Sequence, residues 1–239
     1  MDKPKVLVLV EGARIDISLM KRLFQIYEID MKYEIVSYNT NIYVLYDEVF
    51  VDGHPEDMDI LQVLKEHERD AEKKHIFEQE YTDILLVFDL DPQDLLFSRT
   101  KITEMMTFFT ESTDMGKLYL NYPMVEAFYH MKDIPDSEYS TRTVTLDELR
   151  THSYKKRVHE ENRNHDYSKF ATSREECSKV INQNIEKGWY ILNTAPHGFF
   201  PVSGQILDRQ LDMLEACKEL HVLCTCVYFI AEYNPKLLA

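Results

Sequence analysis

The stretch DILLVFDLDPQD, residues 83–94, decides the fold of this chain. Its five consecutive apolar residues, ILLVF, do not alternate with polar ones, which is typical of a central strand covered on both faces. Asp89, Asp91 and Asp94 follow directly. Carboxylates crowded at a strand end repel one another unless a cation lies among them, and ligands of open α/β sheets bind at this end of the strand. The stretch therefore predicts a central strand that leads into a cation site.

A second apolar run, KVLVLV at residues 5–10, ends at Glu11 and Gly12. Glycine allows a sharp turn and leaves room for a ligand near the backbone. A helical pattern follows, and the amides at a helix N-terminus favour bound anions such as phosphate. If the two strands are neighbours, Glu11 meets Asp89 and Asp91 at one edge of the sheet. Hard oxygen ligands with open positions suit Mg2+ or Mn2+.

Strand-like and helix-like patterns alternate through the first 130 or so residues, which predicts an α/β fold with a mainly parallel sheet flanked by helices. Residues 40–52 fit either a helix or a strand. The other predicted strands and helices are 5–10, 17–29, 32–39, 56–74, 82–91, 97–113, 116–123 and 124–131.

The pattern of alternating strand-like and helix-like segments ends near residue 133, where a polar connector begins. We expect residues 1–132 to form an α/β catalytic domain and residues 133–239 to form a mostly helical C-terminal extension packed on it. Helical patterns are predicted over residues 146–162, 173–192 and 204–220, and the apolar segment 221–235 fits a strand or a helix.

The net charge of −15 opposes tight, non-specific binding to the phosphate backbone of nucleic acids. A nucleic-acid substrate remains compatible with this charge if metal ions or a partner supply positive charge. The local exception is the segment 151–174, which mixes basic and aromatic residues and includes Lys155, Lys156 and Arg157. These three residues are either part of a solvated helix face or guides for a nucleic-acid strand.

The sequence has no apolar run near the ~20 residues that span a bilayer. Its first residues, MDKPK, lack a signal-peptide pattern and lead into a strand. We therefore expect a cytoplasmic protein without a membrane partner.

An apolar strand ending in Glu-Gly, a following helix and a later apolar strand ending in Asp-x-Asp together resemble the Toprim domain. Topoisomerases, primases, some ribonucleases and the overcoming-lysogenization-defect type nucleases share that domain. The resemblance covers roughly residues 5–130 and implies a metal-dependent site, with Glu11 as the acid/base group and Asp89 and Asp91 as metal ligands. It further implies phosphodiester cleavage of DNA or RNA with Mg2+ or Mn2+.

The segment LYLNYPMVEAFYH, with Glu126 three residues after Pro123, is similar to small stand-alone Toprim-like proteins of bacterial anti-phage defence and abortive-infection loci. This similarity implies that Glu126 is a further metal ligand and that the nuclease is an effector of an anti-phage defence system. The acidic charge of the chain suggests that a larger sensor or ATPase partner holds it. If the chain is a nuclease, Lys155, Lys156 and Arg157 are the substrate-binding residues.

The sequence departs from the Toprim pattern in two respects. The separation of Glu11 from Asp89 is wider than in compact Toprim domains, which implies an insertion around residues 40–80. These 239 residues contain no counterpart of the DNA-binding domains of topoisomerases or the ATPase of larger nucleases.

Other interpretations of the same residues remain open. VFDLD resembles the nucleophile motif of haloacid-dehalogenase-like phosphatases, although that motif usually lies near the N-terminus and precedes a Gly-Thr pair. Asp89 and Asp91 also fit a helix cap and turn, Glu11 fits a loop acid, and Glu126 fits a helix-face acid. Asp16 and Asp94 fit caps or groups behind the metal ligands. A non-catalytic effector subunit held by a larger partner is the alternative function.

Overall fold

The computed structural model describes residues 4–29, 31–51, 53–113, 115–196 and 200–238. Within these ranges the chain forms seven β-strands and nine α-helices. The strands are β1 (Lys5–Val10), β2 (Lys32–Ser37), β3 (Asp83–Asp89), β4 (Thr110–Glu111), β5 (Gly116–Asn121), β6 (Thr143–Thr145) and β7 (Glu219–His221). The helices are α1 (Ile15–Ile26), α2 (Ile42–Val49), α3 (Ile60–His67), α4 (Arg99–Phe108), α5 (Leu146–Arg150), α6 (Ser153–Glu161), α7 (Arg174–Leu192), α8 (Ser203–Cys217) and α9 (Tyr228–Tyr233).

The larger sheet has five strands in the order β2-β1-β3-β5-β4. The first four strands in this order are parallel, and the short β4 pairs antiparallel with β5 at the edge. The prediction of an α/β fold with a mainly parallel sheet flanked by helices is therefore confirmed. Because β1 and β3 are neighbours, the two strand ends singled out in the sequence lie side by side.

The centre of the sheet follows from the apolar runs. Every side chain from Ile84 to Phe88 in β3 and from Val6 to Val10 in β1 is buried. Helix α1 contributes Leu19 and Leu23 to the same core at helical spacing. Burying a large aliphatic or aromatic side chain contributes ~1.5–3 kcal/mol relative to leaving it exposed, so these two strands anchor the sheet.

The stretch between β2 and β3 is helical but less so than predicted. The ambiguous residues 40–52 contain α2, whose N-cap Asn41 accepts hydrogen bonds from the backbone N–H groups of Tyr43 and Val44 at 3.1 Å each. The helix predicted over residues 56–74 is wrong in extent, because α3 ends at His67. The charged residues beyond it have no apolar face to pack, and most of the stability of a protein helix comes from such packing.

Two further helix predictions differ from the structure. Residues 124–131 contain only the buried 3-10 turn Val125–Tyr129, since an apolar run this short does not distinguish a helix from other buried segments. The predicted helix 146–162 is divided into α5 and α6 by His152, which has a φ of 57°.

The C-terminal part is mostly helical, with the small antiparallel pair β6–β7 added to it. It packs against the end of β5: the backbone N–H groups of Tyr122 and Leu223 each donate to the other's carbonyl oxygen at 2.7 Å. Buried apolar residues from both parts of the chain belong to one hydrophobic core. The division into residues 1–132 and 133–239 stays a prediction.

None of the described helices combines the length and the apolar character needed to cross a membrane.

Candidate active site

A cavity of about 550 Å3 lies at the carboxyl ends of β1 and β3, beside the start of α1. Four separate parts of the chain form its walls: the turn after β1, the loop after β3, the 3-10 turn after β5, and the α5–α6 pair. The charged and polar residues that line it are Glu11, Arg14, Asp16, Asp89, Asp91, Gln93, Glu126, His152, Tyr154 and Lys155.

Glu11 connects β1 to β3 directly. Its backbone N–H donates to the carbonyl oxygen of Val87 at 3.0 Å, and its Oε2 accepts from the backbone N–H of Asp89 at 3.1 Å. Burial, together with the nearby Asp91 and Asp16 carboxylates, raises the pKa of Glu11 to about 8, against the hydrogen bond from Asp89 and the charge of Lys155. Glu11 is therefore a group whose proton is exchangeable near neutral pH.

Asp89, at the end of β3, is buried in the cavity wall and is only 8% exposed. Its Oδ1 accepts from the backbone N–H of Val125 at 2.9 Å and from Asn121 Nδ2 at 3.3 Å. Burial raises its pKa well above the usual range, and Glu11 and Asp91 act in the same direction. The bond to Val125 means that Asp89 also stabilises the turn after β5, so its structural and candidate catalytic roles coexist.

Asp91 lies in the loop after β3 with a φ of 41°, a left-handed conformation that Asp adopts more readily than most residues. Its Oδ1 accepts from Gln93 Nε2 at 3.0 Å. Burial raises the pKa of Asp91, whereas Gln93 and Lys155 favour the ionised form.

Asp16 belongs to the cavity itself, on the first turn of α1. It is 6% exposed, and its Oδ1 has no hydrogen-bond partner. Burial raises its pKa to about 6, and the backbone of Asp16 and Gly12 opposes the shift by hydrogen bonding. The amides at the start of α1 that the sequence suggested for phosphate thus already face an internal carboxylate.

Glu126 and Lys155 form an ion pair at the far wall, with 2.9 Å between Oε1 and Nζ. Glu126 is 2% exposed, and its Oε2 has no partner. Burial alone would lower the pKa of Lys155, but Glu126, Asp89 and Asp91 raise it. Lys155 is therefore a charged ammonium group that faces several carboxylates.

Lys156 and Arg157 do not line the cavity. Lys156 is mostly exposed and lies 3.7 Å from Glu160. Arg157 donates to Glu148 Oε1 and to the carbonyl oxygen of Thr143, both at 2.6 Å. Successive residues of a helix point in different directions, so only one member of the basic run faces the site.

Four lining residues were not singled out as site residues from the sequence: Arg14, Gln93, His152 and Tyr154. Arg14 is exposed and makes no side-chain hydrogen bond or ion pair with any described residue. Its position between Glu11 and the start of α1 could have indicated from the sequence that it lies at the cavity. His152 and Tyr154 come from the C-terminal part of the chain, and nothing in their local sequence indicates that they approach β1.

The donor chemistry of the cavity suits a hard divalent cation, which prefers carboxylate oxygens. Asp16 Oδ1 and Glu126 Oε2 are buried without partners, and such unpaired atoms cost ~1–3 kcal/mol each. The carboxylates do not form a complete metal site in this arrangement, because no group of three or more described His, Cys, Asp or Glu residues could hold a metal ion. Cation binding here therefore requires carboxylate side chains to rotate.

No protein-family model, curated protein or solved structure matches the chain.

Proposed function

We propose that the chain is a metal-dependent nuclease of Toprim type, which hydrolyses phosphodiester bonds of DNA or RNA with Mg2+ or Mn2+. The observation that carries the proposal is one cavity in which five carboxylates from three segments of the chain meet: Glu11, Asp16, Asp89, Asp91 and Glu126. Glu11, Asp16, Asp89 and Asp91 have raised pKa values, and such shifted acids gathered in a cleft are characteristic of functional sites. The order of Glu11 on one strand and Asp89-x-Asp91 on its neighbour supports the Toprim type.

Glu11, Asp89, Asp91 and Glu126 would hold the divalent cation, with Asp16 beside them. A cation bound there would neutralise a scissile phosphate and lower the pKa of an attacking water. The two unpartnered oxygens, on Asp16 and Glu126, are the atoms that gain most from its arrival.

The remaining roles belong to side chains of the chain itself. Glu11 either takes up or delivers a proton or completes the shell of the cation. In the metal-free chain its pKa of about 8 keeps both protonation states populated near neutral pH, and a cation bound directly to it would favour the ionised form. Lys155 and Arg14 hold phosphate oxygens at the two sides of the cavity. Lys156 and Arg157 lie outside the cavity, so any contact they make with a nucleic-acid strand is farther from the reacting phosphate.

The test combines cleavage with metal binding. We expect Glu11→Gln to reduce cleavage of single- and double-stranded DNA and RNA by at least about a hundredfold, the usual scale for a lost acid/base group. The matched control is Glu186→Gln, an exposed glutamate on α7, which should cut like the wild type. Chelation by EDTA should abolish cleavage in both the wild type and the control.

Thermal unfolding with and without Mn2+ measures the site independently of any substrate. Mn2+ should raise the midpoint of the wild type and of Glu186→Gln, since a ligand that binds only the folded state stabilises it. The shift should be smaller in Asp89→Asn. Undiminished cutting by Glu11→Gln, or cutting that survives EDTA, would contradict the proposal.

A second function is an effector subunit that is silent until a larger partner releases it. Two observations favour it: the net charge of −15, and the fully exposed Leu95 in the loop that follows Asp91. An exposed leucine beside the candidate site suits a protein contact. A wild-type chain that Mn2+ stabilises but that cuts neither DNA nor RNA would favour this function over an independently active nuclease.

A further inference from the structure

A second cavity, of about 420 Å3, lies on the other side of Glu11 at the carboxyl ends of β1 and β2. The backbone connects it to the acidic cavity. Tyr38 N–H donates to the Val10 carbonyl at 2.8 Å, and Asn39 N–H donates to the Glu11 carbonyl at 3.0 Å. Glu11 thus borders the acidic cavity with its side chain and supports the rim of the second cavity with its carbonyl oxygen.

One wall of the second cavity carries a fixed aromatic pair. The rings of Tyr38 and His67 stack with centroids 4.1 Å apart and an angle of 25° between their planes. Glu48 holds both: Tyr38 donates its hydroxyl to Oε2 at 2.7 Å, and His67 Nδ1 lies 2.8 Å from Oε1. Because Tyr38 is buried while the His67 side chain is 26% exposed, the imidazole is the part of the pair that a ligand can reach.

The rim of the cavity is polar and includes the guanidinium group of Arg69. Ser37, Asn39 and Thr40 supply hydroxyl and amide groups along one side. Arg69 also lines the cavity, is exposed, and makes no hydrogen bond or ion pair with any other residue that the structure describes. The neighbouring Glu68 is engaged locally, since its Oε1 accepts from the backbone N–H of Asp70 at 2.8 Å.

We propose that this cavity binds a nucleotide, with the base stacked on His67 and held at its polar edge by the Ser37–Thr40 rim, and with a phosphate at Arg69. A flat aromatic platform, hydrogen-bonding groups and one guanidinium are the features that recognise an aromatic base joined to an anion. The volume falls within the range of small-ligand sites, ~300–1,000 Å3, and near its lower end, which suits one nucleotide.

Two sources supply this chemistry: a nucleotide within a nucleic-acid strand and a free mononucleotide. The first source rests on the proposed nuclease function, and it makes the second cavity a place for a base that neighbours the scissile phosphate. Such a base would contribute to substrate affinity and sequence preference. The second source makes the cavity an effector site that is independent of cleavage.

Isothermal titration calorimetry with AMP, GMP, CMP and UMP in EDTA tests the cavity without metal or catalysis. We expect the wild type to bind at least one of the four, and Arg69→Ala and His67→Ala each to weaken binding about tenfold. Arg209→Ala, an exposed arginine on α8, is the matched control and should bind like the wild type. Arg69 is exposed, so its variant remains informative if His67→Ala fails to fold.

A short oligonucleotide titrated in the same buffer distinguishes the two sources. Tighter binding of the oligonucleotide, with competition by the mononucleotide, indicates the strand; binding of the mononucleotide without competition indicates a free effector. Absence of binding by both ligands, or binding that neither Arg69→Ala nor His67→Ala weakens, overturns the proposal. The mononucleotide titrations in EDTA involve neither metal nor cleavage, whereas the nuclease proposal is tested by cleavage and by Mn2+ stabilisation, so failure of the nuclease proposal is distinguishable from failure of this one.

Discussion

Glu11 is the residue at which burial and charge repulsion act most directly on the candidate chemistry. Its carboxyl group accepts one backbone hydrogen bond, yet burial and two neighbouring carboxylates keep its pKa near 8. A carboxyl group that is protonated when folded and ionised when unfolded favours the folded state at low pH. This contribution is complete below the unfolded pKa, near 4.5, and is lost as the pH rises through the folded value of about 8.

The pH dependence of stability follows from this sign. We expect the unfolding free energy of Glu11→Gln, measured relative to the wild type in urea with EDTA, to increase as the pH rises from 5 to 8. The change should be up to ~1.4 kcal/mol per pH unit, the limit for one proton. The comparison cancels the contributions of the buried His130, His221 and Lys187, whose pKa values burial lowers in both proteins.

Glu186→Gln serves as the control and should follow the wild type at every pH. A relative stability of Glu11→Gln that stays constant or decreases with pH would show that Glu11 is ionised throughout this range.

Residue types and strand ends were enough to predict the central part of the site. Glu11 directly follows β1, Asp89 ends β3 and Asp91 comes two residues later, and parallel neighbouring strands bring their carboxyl ends together. The place of Asp16 was not predictable, because an acid on the first turn of a helix is usually a simple partner of the helix dipole. Its burial depends on the cavity wall formed by distant segments.

At the scale of elements, the turn between β1 and α1 leaves little room for a side chain at Gly12. A Cβ atom placed on Gly12 would lie 2.6 Å from Asp16 Oδ2, well inside van der Waals contact. Gly12 has no positive φ, so a side chain at this position would act through the Asp16 carboxylate, which it would displace, and not through the backbone conformation. The absence of a side chain at Gly12 therefore leaves the space that the Asp16 carboxylate occupies.

Gly12→Ala should lower the unfolding free energy by ~1–3 kcal/mol, the usual cost of overpacking a buried site, as measured by urea denaturation. Gly204→Ala is the matched control, because a Cβ at Gly204 meets nothing within 4 Å in helix α8, so the change should be neutral or slightly stabilising. In the background of Asp16→Ala, the cost of Gly12→Ala should largely disappear. Equal losses in both backgrounds would mean that the strain does not come from Asp16.

The helices were predicted well where an apolar stripe continues and poorly where charged residues extend a pattern. α1 and α7 have long apolar faces, whereas the predicted helix 56–74 shortens to α3 once its apolar residues end. Position 152 interrupts the predicted helix 146–162 by adopting a left-handed conformation that no local pattern signals. That interruption sets the start of α6 and hence the direction of Lys155.

At the scale of the whole molecule, the C-terminal part of the chain contacts Asn121, which in turn binds a carboxylate of the acidic cavity. Asn121 is fully buried at the end of β5, and its Oδ1 accepts from the backbone N–H groups of Thr225 and Cys226 at 3.2 and 3.3 Å. Its Nδ2 donates to Asp89 Oδ1 at 3.3 Å. A single amide therefore links the C-terminal segment to a candidate metal ligand. Local sequence patterns do not indicate such long-range contacts. The sequence therefore predicted a C-terminal extension packed on the α/β part, but not its contact with the residues of the cavity.

The fragment 1–132 tests this dependence. We expect it to lack cooperative folding on its own, because it loses the bridge between Tyr122 and Leu223, the contacts of Glu232 with Lys117 and Tyr119, and much of the shared core. Asn121 would lose its bonds to Thr225 and Cys226 and become accessible to water. Exposing each large apolar side chain of the shared core costs ~1.5–3 kcal/mol, which is large against the 5–15 kcal/mol of a typical protein.

Circular dichroism during heating and the dispersion of a 1H–15N correlation spectrum measure the outcome directly. Coexpression with residues 133–239 should restore a cooperative transition if the two segments form one folding unit. A fragment that unfolds cooperatively by itself and is stabilised by Mn2+ would contradict this expectation. It would mean that the five acids are organised by β1, β3 and β5 alone, and that Lys155 and the C-terminal helices only modify a site that already exists without them.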